Sequence, residues 1–151
     1  MPNKQKAFWK NKNLHEFSST EWESLCDGCG RCCLHKLLNL ELNKTFYTSV
    51  ACRYLDTELC RCTQYSKRQE LVPDCIKVTP QMLEQDASWL PKTCAYRRLA
   101  EGRDIPRWHP LRTGRKESVH EAGISVRGRC ISEAGIADED LDDYVIDWIR
   151  P

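Results

Sequence analysis

The spacing of its cysteines constrains this chain more than any other feature. Cys26-Asp27-Gly28-Cys29-Gly30-Arg31-Cys32-Cys33 puts four thiols into eight residues, and Cys52, Cys60, Cys62 and Cys75 follow. Eight of the ten cysteines therefore lie in one third of the 151 residues. A fold built over that stretch must bury its thiols, oxidise them in pairs or give them a metal. The start, Met1-Pro2-Asn3-Lys4-Gln5-Lys6, is basic, but no apolar stretch follows it, so it does not read as a secretory signal. No apolar run approaches the length of a membrane span. The expected location is the cytoplasm, a reducing compartment where disulfides are disfavoured and clustered cysteines bind metal or do redox chemistry.

A tetrahedral metal needs about four deprotonated soft ligands held close together. Cys26-x-x-Cys29 supplies two from one turn. Gly28 and Gly30 free the backbone there, so that amide N–H groups can point at the thiolates and tune the metal. Cys32 extends the run to Cys-x-x-Cys-x-x-Cys, which can present three thiolates to one iron–sulfur cube. A bacterial ferredoxin would continue with Cys-x3-Cys-Pro; here Cys33 and Leu34 follow at once. A fourth ligand must then come from Cys52, Cys60, Cys62 or Cys75. Adjacent cysteines strain to reach one ion, so Cys32 and Cys33 could serve two metals, or one of them could be structural. The spacing suits two four-coordinate sites, one cluster with spare thiols, or a shared dinuclear site. The candidate metal ligands are thus Cys26, Cys29, Cys32, Cys33, Cys52, Cys60, Cys62 and Cys75, and the metal is an iron–sulfur cluster or zinc.

Competing with this is the plain use of cysteine as a small buried hydrophobe. That use prevails for the isolated Cys94 and Cys130. His35 and His109 could ligate zinc or iron, but a surface or hydrogen-bonded role is expected of both. Arg31, Tyr65 and Arg68 are candidates to line the site, since a cation beside a thiolate cluster offsets its charge.

Around the cluster the chain reads as α+β: a small single domain with a short β-hairpin, several short helices around the metal site and a large irregular fraction. An N-terminal arm covers 1–17, and Phe8 and Trp9 dock it on the domain surface. The cysteine-cluster domain covers 18–135. Thr20 and Glu23 have capping-box spacing for a helix that Asp27-Gly28 ends. Leu34 to Leu42 and Thr45 to Ala51 read as extended segments around an Asn43-Lys44 turn, which would return Cys52 to Cys32 and Cys33. A short strand is expected within 59–62 and a short helix over 63–71, before Pro73. Thr79-Pro80 starts a helix that runs on to Pro91, and Thr93 caps another that Gly102 stops. Residues 104–128 read mostly as loop, given the prolines around Trp108-His109. Over 136–151, Leu141, Tyr144, Val145, Trp148 and Ile149 recur with helical period behind Asp138, Glu139 and Asp140, which predicts an amphipathic helix packed on the same domain.

The Cys-x-x-Cys-x-x-Cys-Cys run, with Cys52-x-x-Leu55-Asp56 and Cys62-x-x-Tyr65-x-x-Arg68, resembles the zinc- or iron-chelating CxxCxxCC cysteine-cluster family (YkgJ-type). The likeness to its bacterial YcgN-like branch is broader. It adds Phe8-Trp9, Trp22-Glu23-x-Leu25, Val50-Ala51-Cys52-Arg53, Asp74-Cys75-Ile76, Thr93-Cys94-Ala95-Tyr96-Arg97 and Trp108-His109-Pro110-Leu111, and reaches about residue 130. The resemblance implies metal chelation and supplies no reaction. The chain departs from the wider family after Arg68, where Gln69 stands in place of proline and Cys75 comes late.

Signs of charge are mixed and the net charge is +1, so no basic face for nucleic acid is indicated. The chain has no Gly-rich phosphate loop, Gly-x-Ser-x-Gly or His-Glu-x-x-His. Three readings remain open. The first is a metal-binding protein with metal as its partner. The second is a zinc-stabilised protein-interaction module. The third is a Cys26-x-x-Cys29 thiol–disulfide protein, which lacks the βαβ context of a thioredoxin.

Overall fold

The structure is a computed structural model that describes residues 4–149. The outermost residues of the expected arm (1–3) and final helix (150–151) lie outside the described residues. In chain order the elements are α1 (Ser19–Ser24), β1 (Leu34–Asn39), β2 (Lys44–Ala51), β3 (Leu55–Asp56), β4 (Arg61–Cys62), α2 (Arg68–Leu71), α3 (Pro80–Gln85), α4 (Ala95–Ala100), α5 (Pro110–Thr113), α6 (Ser118–Glu121) and β5 (Ile131–Ser132). Turns of 3-10 helix lie over Lys4–Lys10, Leu14–Glu16, Arg31–Cys33, Tyr65–Lys67 and Asp138–Tyr144. This is the expected α+β mixture of short elements. It falls into two compact units, one of residues 1–27 with 78–124, the other of 28–77 with 125–151.

The first unit is helical and held by aromatic rings. Trp9, Phe8, Phe17, Trp22 and Tyr96 pack each on the next in that order, with centroids 4.9 to 6.0 Å apart. Their polar ends are tied down, as buried indole and phenol groups require. Trp9 Nε1 donates to Asp104 Oδ1 (2.9 Å), Trp22 Nε1 to the Val78 carbonyl (3.0 Å), and the Tyr96 hydroxyl to the Trp22 carbonyl (2.6 Å). The Phe8-Trp9 pair therefore packs on the protein's own surface, as expected.

The helix boundaries correct the sequence reading in three places. The capping box of α1 is Ser18 with Glu21, rather than Thr20 with Glu23, and α1 ends at Ser24, before Asp27-Gly28. Thr79 caps α3 as expected, but Asp86 turns extended and closes the helix well short of Pro91. Cys94, not Thr93, is the N-cap of α4. Residues 104–128, expected to be mostly loop, contain α5 and α6. Pro110 sits at the first turn of α5, where its missing N–H costs no hydrogen bond, and Gly114 (φ +75°) ends the helix.

The second unit carries the strands. β1 and β2 form the expected antiparallel hairpin, with Leu34 opposite Ala51 and Lys36 opposite Tyr47. But β1 stops at Asn39 and the turn spans 40–43 instead of Asn43-Lys44, because Lys44 already pairs with Asn39 in the ladder. Asn43 takes a left-handed conformation (φ +48°) at the turn. β5 adds to β2 in parallel, and β3 pairs antiparallel with β4. Within 59–62 only Arg61–Cys62 is strand, and its partner β3 was not expected. Leu34, Tyr47, Ala51, Leu55, Cys60, Val126 and Ile149 form the core of this unit.

The predicted C-terminal amphipathic helix is not formed. Asp138–Tyr144 is 3-10 helix, and Val145 then runs extended beside Thr48, with the Ile146 N–H bonded to the Tyr47 carbonyl (2.9 Å). An α-helix there would stack Asp138 on Asp142 and Glu139 on Asp143, like charges at i and i+4. The side of β2 beyond β5 offers the backbone partners instead.

Candidate metal centre

The cysteine run begins at the end of the first unit and continues in the second, so its members have different surroundings. Gly28 (φ +79°) and Gly30 (φ +76°) turn the backbone left-handed before the 3-10 turn Arg31–Cys33. This gives the N–H···S geometry expected of the glycines: the Arg31 N–H points at Cys29 Sγ, 3.5 Å away. The Cys29 carbonyl accepts from the Val126 N–H (2.9 Å), which anchors the turn to the core.

From this turn the hairpin brings distant thiols together. The Cys52 N–H donates to the Cys33 carbonyl (2.8 Å), so the two cysteines sit side by side at the open end of the hairpin. The Leu55 N–H bonds the Cys52 carbonyl (3.0 Å), and Leu55 pairs with Cys62 across β3 and β4. Cys75 follows α2, its N–H on the Val72 carbonyl (2.8 Å).

The electrostatics show that these thiols share one environment. Burial first, and then negative charge on Cys32, Cys52, Cys62 and Cys75, push the Cys33 thiol up to about 12. Burial also raises Cys52, against a hydrogen bond from the Tyr54 N–H and together with the charges of Glu133, Cys62 and Cys75. Cys75 is raised by burial and by Cys62, with Arg68 opposing. Lys36 is lowered by burial and held up by Cys32, Cys33, Cys29 and Cys75. Such a set resists ionisation unless a cation joins it, and a bound dication reverses that balance. Its donor chemistry fits a thiophilic metal. The shell is not closed: among the described residues no group of three His, Cys, Asp or Glu side chains is arranged to hold an ion. Loading would have to draw the sulfurs inward.

The remaining candidates are placed as follows. Cys26 is exposed and belongs to the first unit. Cys60 is buried in the core, with a left-handed backbone (φ +57°) against Gly30; burial raises its thiol, and the Ser125 hydroxyl and Arg127 oppose the rise. Cys130 packs on the same core, and Cys94 stands at the N-cap position of α4, where its side chain makes no cap hydrogen bond. His109 is fully buried in the first unit; its Nε2 is 2.7 Å from the Leu25 carbonyl and its Nδ1 accepts from the Leu111 N–H (3.0 Å). Both ring nitrogens are thus engaged, the hydrogen-bonded role expected of it. His35 Nε2 lies 3.3 Å from Glu133 Oε2.

Arg68 reaches the site through Cys75 while stacking on the Tyr65 ring, 3.9 Å from its centroid. Arg31 is buried and lies over Trp148 (5.3 Å), which Arg129 also faces (4.4 Å). Sequence reasoning missed Lys36 and Glu133. Lys36 had a signal: it follows Leu34 by two residues, so an alternating strand puts both on the face that meets the core. Glu133 had none, because it reaches the site by the parallel pairing of β5 with β2.

Residues 25–95 match the model of the CxxCxxCC family, described as "Putative zinc- or iron-chelating domain". The chain is 55% identical over 141 residues to a UPF0260 protein of Allorhizobium ampelinum, covering 93% of this chain and 88% of that one. It is 55% identical over 141 residues to a UPF0260 protein of Rhizobium meliloti, covering 93% and 90%. With a UPF0260 protein of Cellvibrio japonicus it shares 50% identity over 145 residues, covering 96% and 98%. No solved structure matches the chain. The likeness runs through both units and well beyond the cysteine run, and on it the chain belongs to the UPF0260 protein family.

Proposed function

We propose that the second unit holds a thiolate-bound iron or zinc centre made by Cys32, Cys33, Cys52, Cys62 and Cys75, with Cys29 beside them. The observation that carries this is the convergence of thiols from three separate stretches at the open end of one hairpin, where their charges act on Cys33. Six thiols exceed what one tetrahedral ion takes. That favours an iron–sulfur cluster, or two ions, over a single zinc. Cys26 and Cys60 stand outside the proposed set, the first for its exposure and the second for its place in the core. No disulfide joins any of the ten cysteines, which suits a reducing cytoplasm. Among the described residues no helix is long and apolar enough to cross a membrane.

Anaerobic purification without a metal-binding tag, followed by elemental analysis and an absorption spectrum of the same sample, tests the proposal. Iron with sulfide and a broad band near ~400 nm is the expected result for a thiolate-ligated cluster. Stoichiometric zinc without colour would assign a structural site and turn attention to a zinc-stabilised interaction module. A chain with neither metal, in which the thiols all react, would overturn the proposal.

A further inference from the structure

Lys36 is held in place by contacts that leave its charge beside the thiols. Its Nζ donates to the carbonyls of Cys32 (3.0 Å) and Leu34 (3.2 Å). It also lies 5.2 Å from the centroid of the Tyr47 ring, which is only 1% exposed. Two hydrogen bonds and a cation–π contact fix an otherwise flexible side chain. From there the ammonium acts on Cys29, Cys32, Cys33 and Cys75 together. Arg68, by contrast, stands on the exposed Tyr65 ring and acts on Cys75, and the buried Arg31 guanidinium lies over the Trp148 ring.

We propose that Lys36 is the fixed counter-charge of the metal centre, a positioning residue that raises metal affinity by offsetting the negative charge the site acquires on loading. The inference rests on the metal-centre reading above. When a divalent ion takes four thiols, about four protons leave and the site goes from neutral to a net charge of about −2. Nothing is oxidised or reduced in that step. A cation already anchored to backbone carbonyls favours the loaded state without having to be ordered first. Its attraction is also screened less than that of a surface lysine.

Three variants and one probe test this: Lys36→Met removes the charge at similar length, Lys36→Gln keeps an N–H donor for the carbonyls, and Lys36→Arg keeps the charge. Each is loaded with zinc alone, and affinity is read by competition with a chromophoric chelator at one fixed pH. Lys36→Met and Lys36→Gln should each lose about 10- to 100-fold in affinity, the range for partners just outside a metal shell, while Lys36→Arg recovers most of it. Wild-type affinity in the two neutral variants would overturn the counter-charge role and leave the metal centre standing. So would a loss confined to Lys36→Met, which would make the hydrogen bonds, not the charge, the active part. A wild-type chain that takes up no zinc or iron would remove the centre and this role together.

Discussion

At Gly30 the backbone turn, the core and the cysteine run depend on one missing side chain. A Cβ there would stand 2.8 Å from Val126 Cγ2 and 3.2 Å from Cys60 Cβ, on a backbone with φ +76°. Gly28 has a similar φ (+79°) but nothing within 4 Å of such a Cβ. Gly28→Ala should therefore cost only the left-handed strain, about 1 kcal/mol, or about 2–4 °C in melting temperature for a chain of this size. Gly30→Ala should cost at least twice as much, because Val126 and Cys60 must also move; equal melting of the two variants would show that the contact is not tight. A second prediction belongs to His109. Burial holds its pKa below the usual histidine value, with the Leu25 carbonyl and Asp27 opposing. The unfolded chain then takes up the proton first, so His109 contributes stability above about pH 6.5 that is lost as pH falls towards its lowered folded value. Denaturant melts between pH 7 and 5 should show that loss, and His109→Gln should flatten it. The two glycines and the hydrogen-bonded histidine were legible in the sequence from their residue types. Arg97 was not: its guanidinium donates to the Leu90 carbonyl (2.6 Å) inside the first unit, through a loop closure that periodicity does not encode.

Among the elements, the hairpin brings Cys33 and Cys52 together at its open end. It was legible because two extended runs flank a turn residue and because a hairpin returns Cys52 to Cys33. Asn43 at that turn has φ +48°, a conformation open to asparagine and glycine and strained for β-branched residues. Asn43→Gly should leave stability unchanged or slightly raised, whereas Asn43→Val should lower it by about 1–2 kcal/mol. Thermal melts of both decide it, and equal melting would mean the turn relaxes to another conformation. The final segment was misread for a definable reason. Leu141, Tyr144, Val145, Trp148 and Ile149 satisfy a helical period, but the period ignores like charges stacked one turn apart and β2's open backbone groups. α5 was missed because its proline, read as a breaker, occupies the one helical position that tolerates it.

At the scale of the molecule, the chain separates an aromatic helical unit from a unit that carries the sheet and eight of the ten cysteines. The sequence announced the α+β class and the cysteine cluster, but not the division, since each unit is assembled from two stretches far apart in the chain. A small core that also surrounds a metal takes part of its stability from that metal. Removing the metal should therefore speed amide hydrogen exchange in 28–77 and 125–151 while leaving 1–27 and 78–124 close to their loaded rates. A uniform increase across both units would show that the metal supports the whole chain instead. The most direct test of the central claim is X-ray absorption at the metal edge of the protein as purified. A thiolate centre gives a first shell made of sulfur, at about 2.3 Å for zinc, with iron neighbours beyond it if the metal is a cluster. A first shell of nitrogen and oxygen would contradict a centre built from Cys32, Cys33, Cys52, Cys62 and Cys75.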